Sequence, residues 1–171
     1  GGVALDVRHQ RVFVSLPRRD EVQVLDLLSG AELSRERLHP GDSPGDLLLT
    51  PDGASLVIAC PGAASVVFLD PRTGLELARV RTGEEPGRLQ LDRTGRLAYV
   101  PNARSASVTV LDLPNHAVAS SFKTEAEPFR VQTNRAGTRM FVLHRGAPHV
   151  TALSLPAGGA AARVYVGMNA R

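Results

Sequence analysis

Short runs of apolar residues alternate with polar residues along the whole chain, and no run keeps the 3.6-residue period of a helix over ten residues. The segment 87–128 shows the pattern clearly. Its apolar positions fall into four runs, at Leu89–Leu91, Leu97–Val100, Val108–Leu111 and Val118–Phe122. Asp or Pro directly follows each of the first three runs, and the fourth ends before Glu125–Pro128, which is typical of the turns between strands. The pattern therefore predicts four short strands in succession, an antiparallel meander.

The same pattern occurs four times, with a period near 42 residues. The repeats are 1–44, 45–86, 87–128 and 129–171, and the first has two extra residues before Pro44. One such unit cannot bury its apolar faces alone, so neighbouring units must stack. The sequence predicts an all-β fold: a β-propeller of four-stranded antiparallel meander blades, with four blades in this chain and one propeller region over its whole length.

A polar residue recurs at the end of each predicted third strand, as Asp26, Asp70, Asp112 and Ser154. Side chains of these types hydrogen-bond their own backbone two residues on, and so stabilise a turn. A catalytic site rarely needs the same carboxylate in every blade. The repetition therefore favours a structural role for these residues.

Two segments resemble the YVTN-type propeller repeat. Residues 99–102 read YVPN and are followed by SVTVLD at 107–112, while residues 49–53, LTPDG, are similar to the hairpin motif of that family. The resemblance implies a bacterial or archaeal protein that is extracellular, periplasmic or at the cell surface, often a binding scaffold. Related propellers include lactonase-like enzymes and domains of redox enzymes. The chain departs from the motif at residues 15–17 and in the last turn, at residues 156–159.

Four blades are few for a propeller ring, and an open arc would expose two apolar blade faces. Three arrangements are open: a piece of a longer ring, two chains paired into an eight-bladed ring, or a closed ring of four. The chain starts without Met and shows no signal peptide. This start favours a processed or excised product and hence the first arrangement.

Charge and composition exclude several classes of function. The net charge is only +3, and the basic residues are scattered arginines with Lys123 as the one lysine. Nucleic-acid binding would need a basic stripe with aromatic residues, so no nucleic-acid partner is expected. No apolar run reaches 18 residues, which predicts no membrane span. Cys60, the single cysteine, lies in an apolar run and is expected to be a small buried hydrophobe.

The predicted binding surface combines the connections between blades, the loops between second and third strands, and the mouth of the central channel. Two arginines at matched starts of inner strands could hold a carboxylate or phosphate in bidentate fashion. The alternatives are ion pairs with neighbouring glutamates and a merely solvated surface. The predicted ligand-binding residues are Asp46, Arg88 and Arg130 at the channel mouth, and Glu85, Glu127, Arg104 and Arg145 in the loops.

No catalytic residue, cofactor or metal is predicted. The sequence has no nucleophile elbow, phosphate-binding loop or dinucleotide fingerprint. His144 and His149 could meet at a metal across one loop, but no third ligand is near them in sequence. Ser65, Ser105 and Ser107 are expected in loops without a matched histidine and acid.

The sequence thus favours a non-enzymatic β-propeller scaffold that binds a protein or small polar ligand. Further propeller blades or a second copy of the chain would complete the ring. One alternative is a lactonase-like enzyme with its site at the channel mouth, which would need clustered acids, histidines or a metal there. Another is a structural segment of a surface-layer or redox protein.

Overall fold

The computed structural model describes residues 1–145 and 147–155 and the backbone of 159–165. Two compact units make up the chain, Gly1–Arg81 and Thr82–Arg171, and each holds two four-stranded sheets. The strands of the first unit are β1 (Val3–Asp6), β2 (Arg11–Leu16), β3 (Glu21–Asp26), β4 (Glu32–Arg37), β5 (Leu47–Leu49), β6 (Leu56–Cys60), β7 (Ser65–Leu69) and β8 (Glu76–Arg81). The strands of the second unit are β9 (Gln90–Leu91), β10 (Leu97–Asn102), β11 (Ser107–Asp112), β12 (Ala117–Lys123), β13 (Pro128–Thr133), β14 (Arg139–His144), β15 (His149–Ser154) and β16 (Gly159–Tyr165).

Every sheet is an antiparallel meander whose four strands follow one another in chain order. The only helical segments in the described residues are two short 3-10 turns, Pro17–Arg19 and Pro61–Ala63, between the second and third strands of their sheets. The predicted all-β fold of four-stranded meanders is confirmed. The exact repeat boundaries stay a prediction. The last turn of the fourth repeat, at residues 156–158, lies outside the described residues.

The aspartates after the third strands hydrogen-bond their own turns, as the repeat pattern predicts. Asp26 accepts from the N–H of Ser29 at 2.7 Å, and Asp70 accepts from the N–H of Arg72 at 2.7 Å. Asp112 bonds its turn in the same way. These backbone donors hold the pKa of Asp26 and Asp70 below the usual range, because they stabilise the charged carboxylate.

The pairing between third and fourth strands shifts at the same place in every sheet. The shift falls at Val24/Leu25, Phe68/Leu69, Val110/Leu111 and Ala152/Ser154. A bulge of this kind inserts one unpaired residue and increases the local twist of the strand. In the first and third sheets the inserted residues are Leu33 and Ala119.

Each unit has a hydrophobic core to which both of its sheets contribute. In the first unit Phe13 of β2 packs in one cluster with Ile58 of β6. In the second unit Tyr99 of β10 packs in one cluster with Met140 and Val142 of β14. Burial between sheets is what stabilises each meander, because a single sheet leaves one apolar face in water.

Two of the serines that were expected in loops lie elsewhere. Ser65 and Ser107 are the first residues of β7 and β11, and both are buried. Their hydroxyls accept hydrogen bonds from neighbouring strands, Ser65 from Arg79 at 3.4 Å and Ser107 from Asn102 at 3.0 Å. Within the described residues, no helix has the length and hydrophobicity that crossing a membrane requires.

Candidate functional site

In the second unit, the connections between sheets lie against the loops between second and third strands. The N–H of Glu84 donates to the hydroxyl of Ser105 at 2.7 Å, and the N–H of Ala103 donates to the carbonyl of Glu85 at 3.0 Å. These bonds place the connection before the third sheet beside the β10–β11 loop. We call the surface formed by such segments the loop face; in this unit it comprises residues 82–87, 103–106, 124–127, 145 and 147–148.

The fourth sheet repeats the arrangement. The N–H of Arg145 donates to the carbonyl of Glu127 at 3.0 Å. Glu85 and Glu127 have positive φ angles of 57° and 52°, so both connections turn through the left-handed region at the same point. The four loop residues predicted to bind a ligand are exposed on this face: Glu85, Arg104, Glu127 and Arg145.

Arg88 lies two residues before β9, Arg130 is the third residue of β13, and both are exposed. A Cβ on Gly87 would lie 3.7 Å from the carbonyl oxygen of Phe129, so the residues that precede the two arginines are in direct contact. Among the described residues, no salt bridge joins either arginine to Glu85 or Glu127. Ion pairing of these arginines with Glu85 or Glu127 is therefore not observed in the described part of the chain.

Asp46 lies in the first unit, half-buried beside the start of β5. A Cβ on Gly2 would lie 2.7 Å from the Cα of Asp46, so only glycine fits there. The N–H of Gly2 donates to the hydroxyl of Ser15 at 2.6 Å, and this hydroxyl donates to the carbonyl of Gly45 at 2.5 Å. This inner-strand start is a packed backbone contact with one carboxylate and no arginine.

The loop face of the first unit is fixed by two loop aspartates, which the sequence places on the candidate surface without naming them as ligand-binding residues. Asp20, in the β2–β3 loop, accepts from the N–H groups of Gly41 and Ser43 at 2.9 and 2.6 Å. Asp42 is 1% exposed and bonds the guanidinium of Arg79 on β8. Both carboxylates are committed to holding the connection between the sheets, so their role is structural.

His144 and His149 do approach each other, with ring centroids 6.3 Å apart. His149 also contacts Glu125, with Nε2 and Oε2 2.5 Å apart, so an acid that is remote in sequence joins the pair. His144 is buried, and its two ring nitrogens bond the carbonyl of Ala126 and the hydroxyl of Thr151, each at 3.0 Å. Within the described residues, no group of three His, Cys, Asp or Glu side chains is arranged to hold a metal ion.

One position recurs beneath the loop face in all four sheets: the last residue of the second strand. It is Leu16, Cys60, Asn102 and His144 in turn. Burial raises the pKa of the Cys60 thiol to about 12, with the charge of Asp42 as a smaller cause. The thiol is therefore neutral and enclosed, which fits a small hydrophobe and not a nucleophile.

No protein-family model and no curated protein matches the chain. Several solved structures match its fold. Hydrazine synthase from Kuenenia stuttgartiensis superposes with a TM-score of 0.81 at 17% identity, over 96% of this chain and 49% of that one. A proposed 6-phosphogluconolactonase from Bacteroides uniformis gives 0.80 at 11% identity, over 96% and 53%. Dihydro-heme d1 dehydrogenase NirN, in complex with DHE, gives 0.73 at 18% identity, over 94% and 36%.

These similarities show a β-propeller fold and nothing finer, because fold alone does not determine function. The chain spans about half the length of the first two solved chains and about a third of the NirN chain.

Proposed function

We propose that the chain is a non-enzymatic scaffold of the YVTN propeller type, located outside the cytoplasm, that binds a protein or a small polar ligand through its loop face. One observation carries the proposal: Arg88 and Arg130 are exposed at the beginnings of the third and fourth sheets, and among the described residues neither forms a salt bridge with Glu85 or Glu127. Paired guanidinium groups are suited to carboxylate or phosphate, which they hold through parallel hydrogen bonds.

The loop face is also well fixed in place, which favours binding. Its connections are bonded to the loops through backbone groups, at Glu85 with Ala103 and at Glu127 with Arg145. A surface that is ordered before the ligand arrives loses less conformational entropy on binding. Glu85 and Glu127 stand at the rim, so an acceptable ligand places its anionic group between the arginines and keeps it away from the glutamates.

The YVTN assignment and the location rest on the motif residues at 49–53 and 99–112. The test is fractionation of cells that produce the protein from its native gene. Recovery in the periplasmic, surface or secreted fraction is expected. Recovery with cytoplasmic markers would contradict the proposed location.

The binding test uses citrate as a multivalent carboxylate probe, titrated calorimetrically at low ionic strength because salt screens exposed charges. We expect saturable binding that Arg88→Gln or Arg130→Gln each weakens by about tenfold, the loss of one charge-assisted hydrogen-bonding group. The control is Arg139→Gln. Arg139 is also exposed, but it begins β14, at the end of that strand away from the loop face. Absence of citrate binding, or an equal loss in the control, would contradict an arginine site.

We also propose that the propeller ring is completed by further blades of a longer protein or by a second copy of the chain. The half-length match to two solved propeller chains supports this. Light scattering over a concentration series tests the second form, for which a stable mass of two chains is expected. If the chain is monomeric, folded and free of aggregation, it needs neither further blades nor a second copy, which would contradict the proposal.

A lactonase-like enzyme is the second candidate, because the fold matches that of a proposed 6-phosphogluconolactonase. In that case the arginines would bind the phosphate of a sugar-phosphate lactone. If the wild-type chain hydrolyses such a lactone and Arg88→Gln does not, the enzymatic function is preferred over the proposed scaffold function. A role as a structural segment of a surface-layer or redox protein would be indicated instead by dimerisation without binding of any probe.

A further inference from the structure

A cavity of about 520 Å³ opens between the third and fourth sheets, inside the second unit. It lies at the end of the strands that carries the β9–β10 and β13–β14 hairpins, away from the loop face. Tyr99 and Val110 form its buried floor, and the half-buried Leu97, Phe122 and Leu155 stand along its walls. Its volume is typical of small-molecule sites.

The first unit has an equivalent groove, because the strand registers match. Phe13 pairs with Val24 in the first sheet as Tyr99 pairs with Val110 in the third. The groove between the first and second sheets, however, encloses only about 200 Å³. The two grooves therefore share matching strand pairs on their floors and differ in volume.

Two charged side chains fill the groove of the first unit. Arg11 donates to a backbone carbonyl across it at 2.6 Å. Glu36 lies directly on Gly74, where a Cβ would collide with the carboxylate. The second unit has Leu97 and Phe122 at the positions of Arg11 and Glu36, as the strand pairings show. Both are apolar and line the cavity, so neither position carries a charged side chain in the second unit.

The floor of the cavity carries an unused polar group. Tyr99 is 4% exposed, and its hydroxyl makes no hydrogen bond within the described part of the chain. Burial, with the charge of Asp92 as a smaller cause, raises the pKa of Tyr99, so the phenol keeps its proton. The phenol lines the cavity, so its hydroxyl can act as a hydrogen-bond donor to a ligand there.

The rim carries a cation without an acidic partner. Arg93 lines the cavity and makes no salt bridge to a described residue, and its one hydrogen bond is a long one of 3.5 Å to the carbonyl of Arg135. The carboxylate of Asp92 is occupied by its own turn, where it accepts from the N–H of Leu97 and the hydroxyl of Thr94 at 2.9 and 2.6 Å. The polar groups that the cavity offers a ligand, the Tyr99 hydroxyl and the Arg93 guanidinium, are thus hydrogen-bond donors. A matching ligand must therefore carry acceptors.

We propose that this cavity binds an amphipathic aromatic acid. The ring system lies on Tyr99 between Phe122 and Leu155, where aromatic side chains offer stacking and edge contacts. Its anionic group is held at the rim by Arg93, and an acceptor on the ring accepts from the Tyr99 hydroxyl. The site is separate from the loop face and does not depend on the function proposed for that surface.

The test uses anilinonaphthalene sulfonate, an amphipathic aromatic anion whose fluorescence rises in apolar surroundings. We expect one saturable site per folded chain. Ala119→Phe, on exposed β12, fills the cavity and should weaken binding by at least about tenfold. Tyr99→Phe and Arg93→Gln each remove one donor and should weaken it by about threefold or more.

The controls place the same changes elsewhere. Leu33→Phe alters the equivalent bulge residue of the first unit, and Arg81→Gln removes an exposed arginine from β8; both should bind as the wild type does. Urea unfolding of every variant verifies that the dye reports the cavity and not a loosened fold. Unchanged binding in Ala119→Phe, an equal loss in Leu33→Phe, or no saturable binding to the wild type would overturn the proposal.

Discussion

Asp42 and Arg79 form a two-point ion pair that joins the connection between the first two sheets to the outer strand β8. The two carboxylate oxygens of Asp42 accept from the two terminal nitrogens of Arg79 at 2.7 and 2.9 Å. The carboxylate is buried, and the guanidinium also reaches Glu76 at 2.9 Å. The hydrogen bonds to Asp42, followed by those to Glu76, raise the pKa of Arg79 above its usual value.

Arg79→Met should destabilise the first unit, because it leaves the buried carboxylate of Asp42 without its cation. Removing one partner of a fully buried pair costs about 3–5 kcal/mol. Since Arg79 is partly exposed, we expect a loss of about 2–3 kcal/mol in the free energy of unfolding. Urea denaturation measures it, and Arg81→Met on the same strand is the control. Equal stability of the two variants would show that water solvates the Asp42 carboxylate in place of Arg79.

Gly83→Ala should destabilise the second unit. A Cβ there would lie 2.7 Å from the Cβ of Asn102, which is fully buried and bonded through Nδ2 to the hydroxyls of Ser107 and Thr109 at 3.0 and 2.9 Å. Asn102 cannot move without breaking these bonds, so overpacking of about 1–3 kcal/mol is expected. Gly87→Ala, whose nearest contact would be 3.4 Å, is the matched control. A Gly83→Ala variant as stable as its control would contradict this close packing.

Cys60 should be unreactive towards thiol reagents in the native protein. The side chain is fully buried, and burial raises its pKa to about 12, so neither access nor thiolate is available. Reaction with a chromogenic disulfide should follow the unfolding curve in urea. A Cys60→Ala variant that also carries Arg104→Cys provides an exposed thiol for comparison, and it should react at once. Rapid modification of native Cys60 would mean that the end of β6 opens readily.

Acid should destabilise the fold through the aspartate turns. Hydrogen bonds in the native turns lower the pKa of Asp26 and Asp70 below the ordinary 3.8. The unfolded chain therefore binds more protons in acid, so this stabilisation is complete well above pH 3.8 and is lost as pH falls through the lower folded values. Urea unfolding at about pH 6 and about pH 2.5 measures the loss.

The control for the acid prediction is Asp70→Asn, which keeps an acceptor oxygen in the turn and no longer titrates. This variant should lose less stability than the wild type between the two pH values. An identical loss would mean that other carboxylates account for the acid sensitivity, among them buried Asp6, which Arg11 holds at 2.7 Å.

Local features could be predicted from the sequence because short patterns determine them. The turn at Asp70 needs only the aspartate and the residues that follow it, and the alternation of apolar residues was enough to identify the meander. The bond between Asp42 and Arg79 joins residues 37 positions apart, and that between Glu125 and His149 joins residues 24 apart. Such contacts depend on how sheets pack, which the repeat pattern does not specify.

The candidate site was predictable only in part for the same reason. Matched positions identified Arg88 and Arg130, but pairing with Glu85 or Glu127 depends on backbone directions that the sequence does not reveal. The cavity above Tyr99 was missed entirely. Comparison of the repeats position by position could have drawn attention to it, because β12 has Phe122 where β4 has the charged Glu36.

Because the chain repeats one sheet four times, equivalent positions can be compared within it, as they are usually compared between related proteins. At the end of the second strand it holds an alkyl group, a thiol, an amide and an imidazole, in Leu16, Cys60, Asn102 and His144. The same backbone has thus accepted four chemistries at one place, whereas the bulge beside the third strand does not vary. That position is buried in three sheets and half-buried at Leu16, so a substitution in one sheet can be judged against the same site in the other three.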